Sequence, residues 1–199
     1  MTQLANSAFP LHDLIASRWS PRAFQSKAVS AEDLGSLFEA ARWAPSCFNA
    51  QPWRFVIATH EDAEAHQRLA DCLVPANQVW AAKAPVLGLS IAQSNFEFNG
   101  KPNAHARHDV GLAMGQLALQ AEALGLVVHQ MGGFVAEAAI ESLGIPEGYE
   151  PVAAFAIGYA GDASDLPDEL AERERAPRER KELGELCFDG RFGQSRYSK

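Results

Sequence analysis

Trp43-Ala44-Pro45-Ser46-Cys47-Phe48-Asn49-Ala50-Gln51-Pro52-Trp53-Arg54-Phe55 reads as a helix ending, a polar knot and a strand beginning. Pro45 and Pro52 lack a backbone donor, and each disfavours α conformation in the residue before it. The segment is therefore expected to be a stiff, extended loop. It presents Ser46, Asn49 and Gln51 between two hydrophobic anchors, Trp43 and Trp53. Such a knot is either a connector whose amides satisfy local backbone or part of a binding site.

Upstream, Ser30 caps a helix with an acidic residue three positions on, in the manner of a capping box. Leu34, Leu37, Phe38 and Ala41 then repeat at helical spacing and mark its core face. Downstream, residues 54–59 (RFVIAT) read as a strand centred on Phe55, Val56 and Ile57. Three more strands follow at 85–92, 126–130 and 151–159, separated by helices at 60–73, 109–125 and 136–143. Strands alternating with helices give a layered α+β or α/β domain. The helix at 109–125 is apolar on every side, so it is either central or packed in a dimer interface. Leu186, Phe188, Phe192 and Tyr197 in the tail are expected to dock it.

Several segments carry candidate chemistry. A short helix at 11–19 ends in Arg18-Trp19-Ser20-Pro21-Arg22-Ala23-Phe24. Pro21 breaks it and leaves Arg18, Ser20 and Arg22 on a bend. This is either an oxyanion site, which the planar arginine fork suits, or two solvated arginines. Met131-Gly132-Gly133-Phe134 follows the third strand, and its glycines permit positive φ and close approach of a flat ligand, or an ordinary turn. Phe96 and Phe98 in the polar loop 93–105 either cover a ligand as a lid or tuck into the body. His105 and His108, with Asp109 beside them, suggest a metal, but the His-x-x-His pair lacks a convincing third ligand and reads rather as solvated histidines at a helix start. The charged run 166–181 reads as a solvated helix or loop.

Composition removes whole classes of function. A net charge of −8 and a pI near 5.2 argue against nucleic-acid or anionic-membrane binding, so any ligand phosphate must meet a few local arginines. No apolar run reaches the ~18 residues of a membrane span. The first residues lack the basic start and apolar centre of a signal peptide. Cys47, Cys72 and Cys187 are too far apart for a metal cluster or disulfide framework, so a cytoplasmic protein with free thiols is expected. The common nucleotide, protease and hydrolase motifs are absent.

The arginine bend RWSPRAF, the knot WAPSCFNAQPWRF and the turn VVHQMGGF occur in the order and spacing of the nitroreductase family, which this chain resembles over about residues 14–161. The resemblance implies an α+β sandwich: a central mixed β-sheet of four to five strands flanked by helices. It implies one FMN-binding domain over 1–199, with 165–199 as a polar segment and tail. It further implies a homodimer, the C-terminal tail exchanged or docked on the partner, with FMN at the subunit interface. Carried over by position, Arg18 and Ser20 would meet the FMN phosphate and ribityl chain, and Trp19 would contribute backbone. Arg22 would approach the pyrimidine edge near N1 and O2, and Asn77 would bind the pyrimidine. Met131, Gly132 and Gly133 would lie along the flavin, with the Gly132 amide near N5. Pro45, Ser46, Cys47 and Asn49 would reach the other subunit's FMN. Cys47 stands where a second serine is frequent in the family. Arg191, in Asp189-Gly190-Arg191-Phe192, is the candidate second phosphate arginine.

The implied activity is ping-pong hydride transfer from NADH or NADPH, through FMN, to a small flat acceptor such as a nitroaromatic or quinone. No side-chain acid or nucleophile is required, and no metal. A cation at N1–O2 would favour hydride acceptance, which suits Arg22. The alternatives are a specialised member, such as an enal or aldehyde reductase, a dehalogenase or a flavin-fragmenting enzyme, or a flavin-binding protein without turnover.

Overall fold

A computed structural model describes residues 4–197. Its frame is a four-stranded sheet in the order β1-β2-β4-β3. The strands are β1 (Trp53–Thr59), β2 (Val86–Gln93), β3 (Val127–Met131) and β4 (Tyr149–Gly158). All three pairings are antiparallel, with Phe55 opposite Ser90, Leu89 opposite Ala154 and Gln130 opposite Phe155. The sheet of the described residues is therefore not mixed, contrary to the expectation. Each neighbouring pair runs in opposite directions, so no strand pair needs a parallel crossover.

Both sheet faces are buried, which is why β2 is apolar along nearly its whole length. On one face Leu87, Leu89 and Ile91 pack with Leu69 of α3 (Ala63–Asp71), Trp80 of α4 (Pro75–Ala81) and Ala139 of α6 (Ala136–Leu143). On the other, Val86, Phe155 and Ile157 pack with Leu37 of α2 (Ala31–Arg42) and with Val110, Met114 and Leu117 of α5 (Ala106–Ala123). Gly88 is required where it stands, because a Cβ there would meet the Phe155 ring at 2.3 Å. Two short helices complete the described chain, α1 (Asp13–Ser17) and α7 (Asp168–Arg175). Among the described residues, no helix is long and apolar enough to cross a membrane.

The caps follow the side chains available. Ser30 Oγ accepts the Asp33 N–H at 3.0 Å and opens α2. Asp62 does the same for Ala65 at 3.0 Å, so α3 starts later than the expected residue 60. Gly144 closes α6 at φ 65°, the left-handed position that glycine adopts without penalty.

One expectation is corrected by burial. Trp43 is no anchor: it is 71% exposed, its indole N–H donating to Glu39 at 2.9 Å, whereas Trp53 is buried as expected. Apolar residues cover α5 all round, yet only one side is buried in this chain. Val110, Ala113 and Leu117 are inside, while Gly111, Leu112 and Gly115 face outward. In the tail, Tyr197 meets Phe9 edge-on at 5.6 Å, but Phe192 is 94% exposed.

Candidate functional site

The arginine bend begins where α1 ends. Arg178 donates to the carbonyl oxygens of Ala16 and Arg18, both at 2.9 Å, and so straps the 176–180 segment onto the bend. Arg18 donates to Ser20 Oγ at 3.3 Å. A pocket of about 210 Å³ results, lined by Arg18, Trp19, Ser20, Arg22, Glu174, Arg178 and Arg180 among others. Burial, then the neighbouring charges of Arg178 and Arg180, hold the Arg18 guanidinium below its usual pKa. Like charges crowded in a half-buried pocket are stabilised by an anion, and guanidinium forks match phosphate oxygens. The donor set present therefore fits a phosphate group.

The bend is fixed from two sides. Pro21 C=O lies 2.8 Å from His129 Nδ1 on β3. The Arg22 and Ala23 N–H groups donate to Glu174 Oε1 of α7, at 2.8 and 3.1 Å. The His129 ring packs on Trp80 at 4.5 Å, and burial lowers its pKa. Two residues further, β3 ends at buried Met131 and runs into Gly132-Gly133.

Gly133 meets the start of α4. Its carbonyl accepts the Asn77 side-chain amide at 2.9 Å and the Val74 N–H at 3.1 Å. A Cβ on Gly133 would stand 2.6 Å from Asn77 Nδ2, so close approach to Asn77, not to a ligand, requires that glycine. Neither Gly132 nor Gly133 uses the positive φ that glycine permits. Gly132 is exposed with nothing near its missing Cβ, which leaves its backbone open. The structure thus links Arg18, Trp19, Ser20 and Arg22 through His129 to Met131, Gly132 and Gly133, and on to Asn77.

The knot stands apart from this group in a single chain, and none of its residues lines the arginine pocket. It is not extended. Cys47–Asn49 form a turn of 3₁₀ helix, and Phe48, Asn49 and Gln51 adopt φ of 52°, 55° and 48°. Left-handed conformations cost non-glycine residues about 1–2 kcal/mol each, so the turn needs fastening. Buried Asp109, in the first turn of α5, accepts the Cys47 N–H at 2.9 Å. Ser46 Oγ accepts the Gln51 N–H at 3.0 Å. Pro45 and Asn49 are exposed, and Ser46 and Cys47 are half-buried. Phe48, 80% exposed, meets Phe96 and Phe98 with ring centres 5.9 and 6.1 Å away. The two loop aromatics therefore join the knot rather than tucking into the body.

Arg191 sits on an exposed turn, its N–H on the Asp189 carbonyl at 2.7 Å, and does not line the pocket. The residues that sequence reading missed are Glu174, Arg178 and Arg180, hidden in a charged run that resembles solvated surface. His129 and Phe48 were also missed, and Asp109, weighed only as a metal ligand, instead fastens the knot.

Comparisons with known proteins agree with one another. The model of the nitroreductase family matches residues 15–159. A solved structure described as an oxidoreductase containing FMN is similar over 96% of both chains, with 41% identity and a TM-score of 0.89. The Bacillus subtilis protein YdgI, provisionally named an NAD(P)H nitroreductase, is 31% identical over 170 residues, 67% of this chain and 80% of that protein. An uncharacterised 15.4 kDa protein of Mycolicibacterium smegmatis is 39% identical over 89 residues, 45% of this chain and 60% of its own length.

Proposed function

Because the chain belongs to the nitroreductase family, we propose that it is an FMN-dependent oxidoreductase that takes hydride from NADH or NADPH and reduces a small flat acceptor. The observation that carries this reading is the arginine pocket, where Arg18, Arg22, Arg178 and Arg180 line one half-buried cleft and offer guanidinium forks to a phosphate. The FMN described in the similar solved structure and the NAD(P)H in the name of the B. subtilis relative support the same cofactor pair.

In this reading Arg18, Ser20, Arg178 and Arg180 hold the phosphate, and Trp19 lines the pocket. Arg178 and Arg180 replace Arg191 as the second phosphate contact, because they line the pocket and Arg191 does not. Arg22 places a permanent positive charge at the pyrimidine edge. Asn77, the open backbone of Gly132 and the flanking Met131 and Gly133 hold the ring. Bound FMN supplies a two-electron carrier that accepts hydride and hands it on. The chain contributes binding, orientation and a cation where negative charge develops, with no side-chain nucleophile.

The functional unit in this reading is a homodimer. Trp43 at 71% exposure, Phe48 at 80% and the open side of α5 are apolar surface that a second copy would cover. Pro45, Ser46, Cys47 and Asn49 would then complete the partner's flavin site. The Phe48, Phe96 and Phe98 cluster favours aromatic acceptors, nitroaromatics or quinones, which stack on such rings.

The test is steady-state oxidation of NADH and NADPH by FMN-loaded protein across a panel of nitroaromatics and quinones, alongside the visible spectrum. Turnover with a flavin spectrum is expected. A protein that cannot be loaded with FMN would overturn the reading, and a loaded protein without turnover would leave only a flavin binder.

A further inference from the structure

We infer that Glu174 is a positioning residue that fixes Arg22 and tempers its charge. Its carboxylate is 8% exposed as a residue, the deepest acid facing the arginine pocket. Its two oxygens have different tasks. Oε1 accepts the Arg22 and Ala23 N–H groups at 2.8 and 3.1 Å, which ties α7 to the bend. Oε2 makes no hydrogen bond among the described residues and lies 3.7 Å from Arg22 Nη1.

This division of tasks identifies what the charge is for. A neutral glutamine oxygen could accept the same two backbone donors. Anchoring alone therefore does not call for a carboxylate, whose burial is unfavourable unless a cation answers it. The oxygen left over from anchoring is the one that faces the Arg22 fork. Glu174 thus holds both the backbone and the side chain of Arg22. It also places a negative charge behind the cation that the FMN reading puts beside the pyrimidine edge. His129 completes the hold, since the Pro21 carbonyl and the Arg22 N–H belong to one peptide group.

The inference rests on that FMN reading, and its consequence is electrical. With Glu174 ionised, Arg22 attracts the negative charge of a reduced flavin less strongly. Removing the charge while keeping the acceptor should move the midpoint potential of bound FMN to a more positive value.

The experiment compares wild type, Glu174→Gln and Glu174→Ala as FMN-loaded proteins, by dye-equilibration potentiometry, FMN titration and thermal unfolding. Glu174→Gln should keep FMN affinity within about threefold and shift the potential positive. Glu174→Ala, which strands two backbone donors, should weaken FMN on the order of tenfold. In an Arg22→Gln background the shift caused by Glu174→Gln should shrink, because the effect acts through Arg22. An unmoved or negative-going potential in Glu174→Gln, or an equal shift without Arg22, overturns the inference while the FMN reading stands. Failure of the wild type itself to bind FMN overturns both.

Discussion

His129 and Glu174 grip opposite ends of one peptide group: His129 Nδ1 lies 2.8 Å from the Pro21 oxygen, and Glu174 Oε1 takes the Arg22 N–H at 2.8 Å. One side chain comes from β3 and the other from α7. The arginine bend is thus held between two layers of the fold, and its geometry depends on both.

His129 makes that hold sensitive to acid. Burial against Trp80 lowers its pKa from 6.5, aided by the Arg22 charge and opposed by the Pro21 carbonyl. The unfolded chain then takes up a proton near pH 6.5 that the folded chain resists. This contribution to stability is present above pH 6.5 and is lost as pH falls from there toward the lower folded value. His129→Phe should cost about 1–3 kcal/mol at pH 8, because the Pro21 carbonyl loses its donor. It should also flatten the decline of Tm between pH 7 and 5 relative to wild type. Parallel Tm profiles for the two proteins would contradict the role given to His129.

The paired glycines should separate fold from cofactor. Gly133→Ala forces a Cβ to 2.6 Å from Asn77 Nδ2 and 2.9 Å from Val74 Cγ2. A loss of about 1–3 kcal/mol in urea unfolding is expected. Gly132→Ala meets nothing within 4 Å and should stay within about 0.5 kcal/mol of wild type. Its FMN affinity should nevertheless fall on the order of tenfold, about 1.4 kcal/mol. Unchanged FMN affinity in Gly132→Ala would remove the flavin from this backbone.

The knot should report its strain and its fastening in opposite directions. Asp109→Ala leaves the Cys47 N–H unanswered and should destabilise by about 2–3 kcal/mol, whereas Asp109→Asn keeps an acceptor and should cost about half as much. Gln51→Gly relieves the φ of 48° and gives up only the side-chain bond to the Asn49 carbonyl at 3.0 Å. Its stability should be unchanged or higher by up to about 1 kcal/mol, since glycine also loosens the unfolded chain. A loss above about 2 kcal/mol in chemical denaturation would show that the turn is not strained in the sense described.

What the sequence made legible follows from how local each signal is. Ser30 at the start of α2 and Gly144 at the end of α6 act within one turn, and both were readable. Residues 136–143 were placed to the residue for that reason. The three motif segments were readable because proline, glycine and arginine restrict backbone or chemistry wherever they stand. Strand direction was not, because antiparallel pairing of β1, β2, β4 and β3 is decided by partners distant in sequence. Trp43 looked like an anchor because exposure is a tertiary property. Glu174 was hidden for the same reason: in the run Glu172-Arg173-Glu174-Arg175 nothing marks one acid as buried, and its partner lies 152 positions away. Positive φ at Phe48 and Gln51 had no glycine to announce it.

The central claim is that the bend, the 176–180 segment and the end of β3 form an FMN site. Titration of flavin-free protein with FMN, followed by fluorescence quenching, tests it most directly. Saturable binding of one FMN per chain is expected, with affinity sharply reduced in Arg18→Ala and in Arg178→Ala variants that remain folded by circular dichroism. No saturable binding by wild type, or binding untouched by both substitutions, would contradict the account.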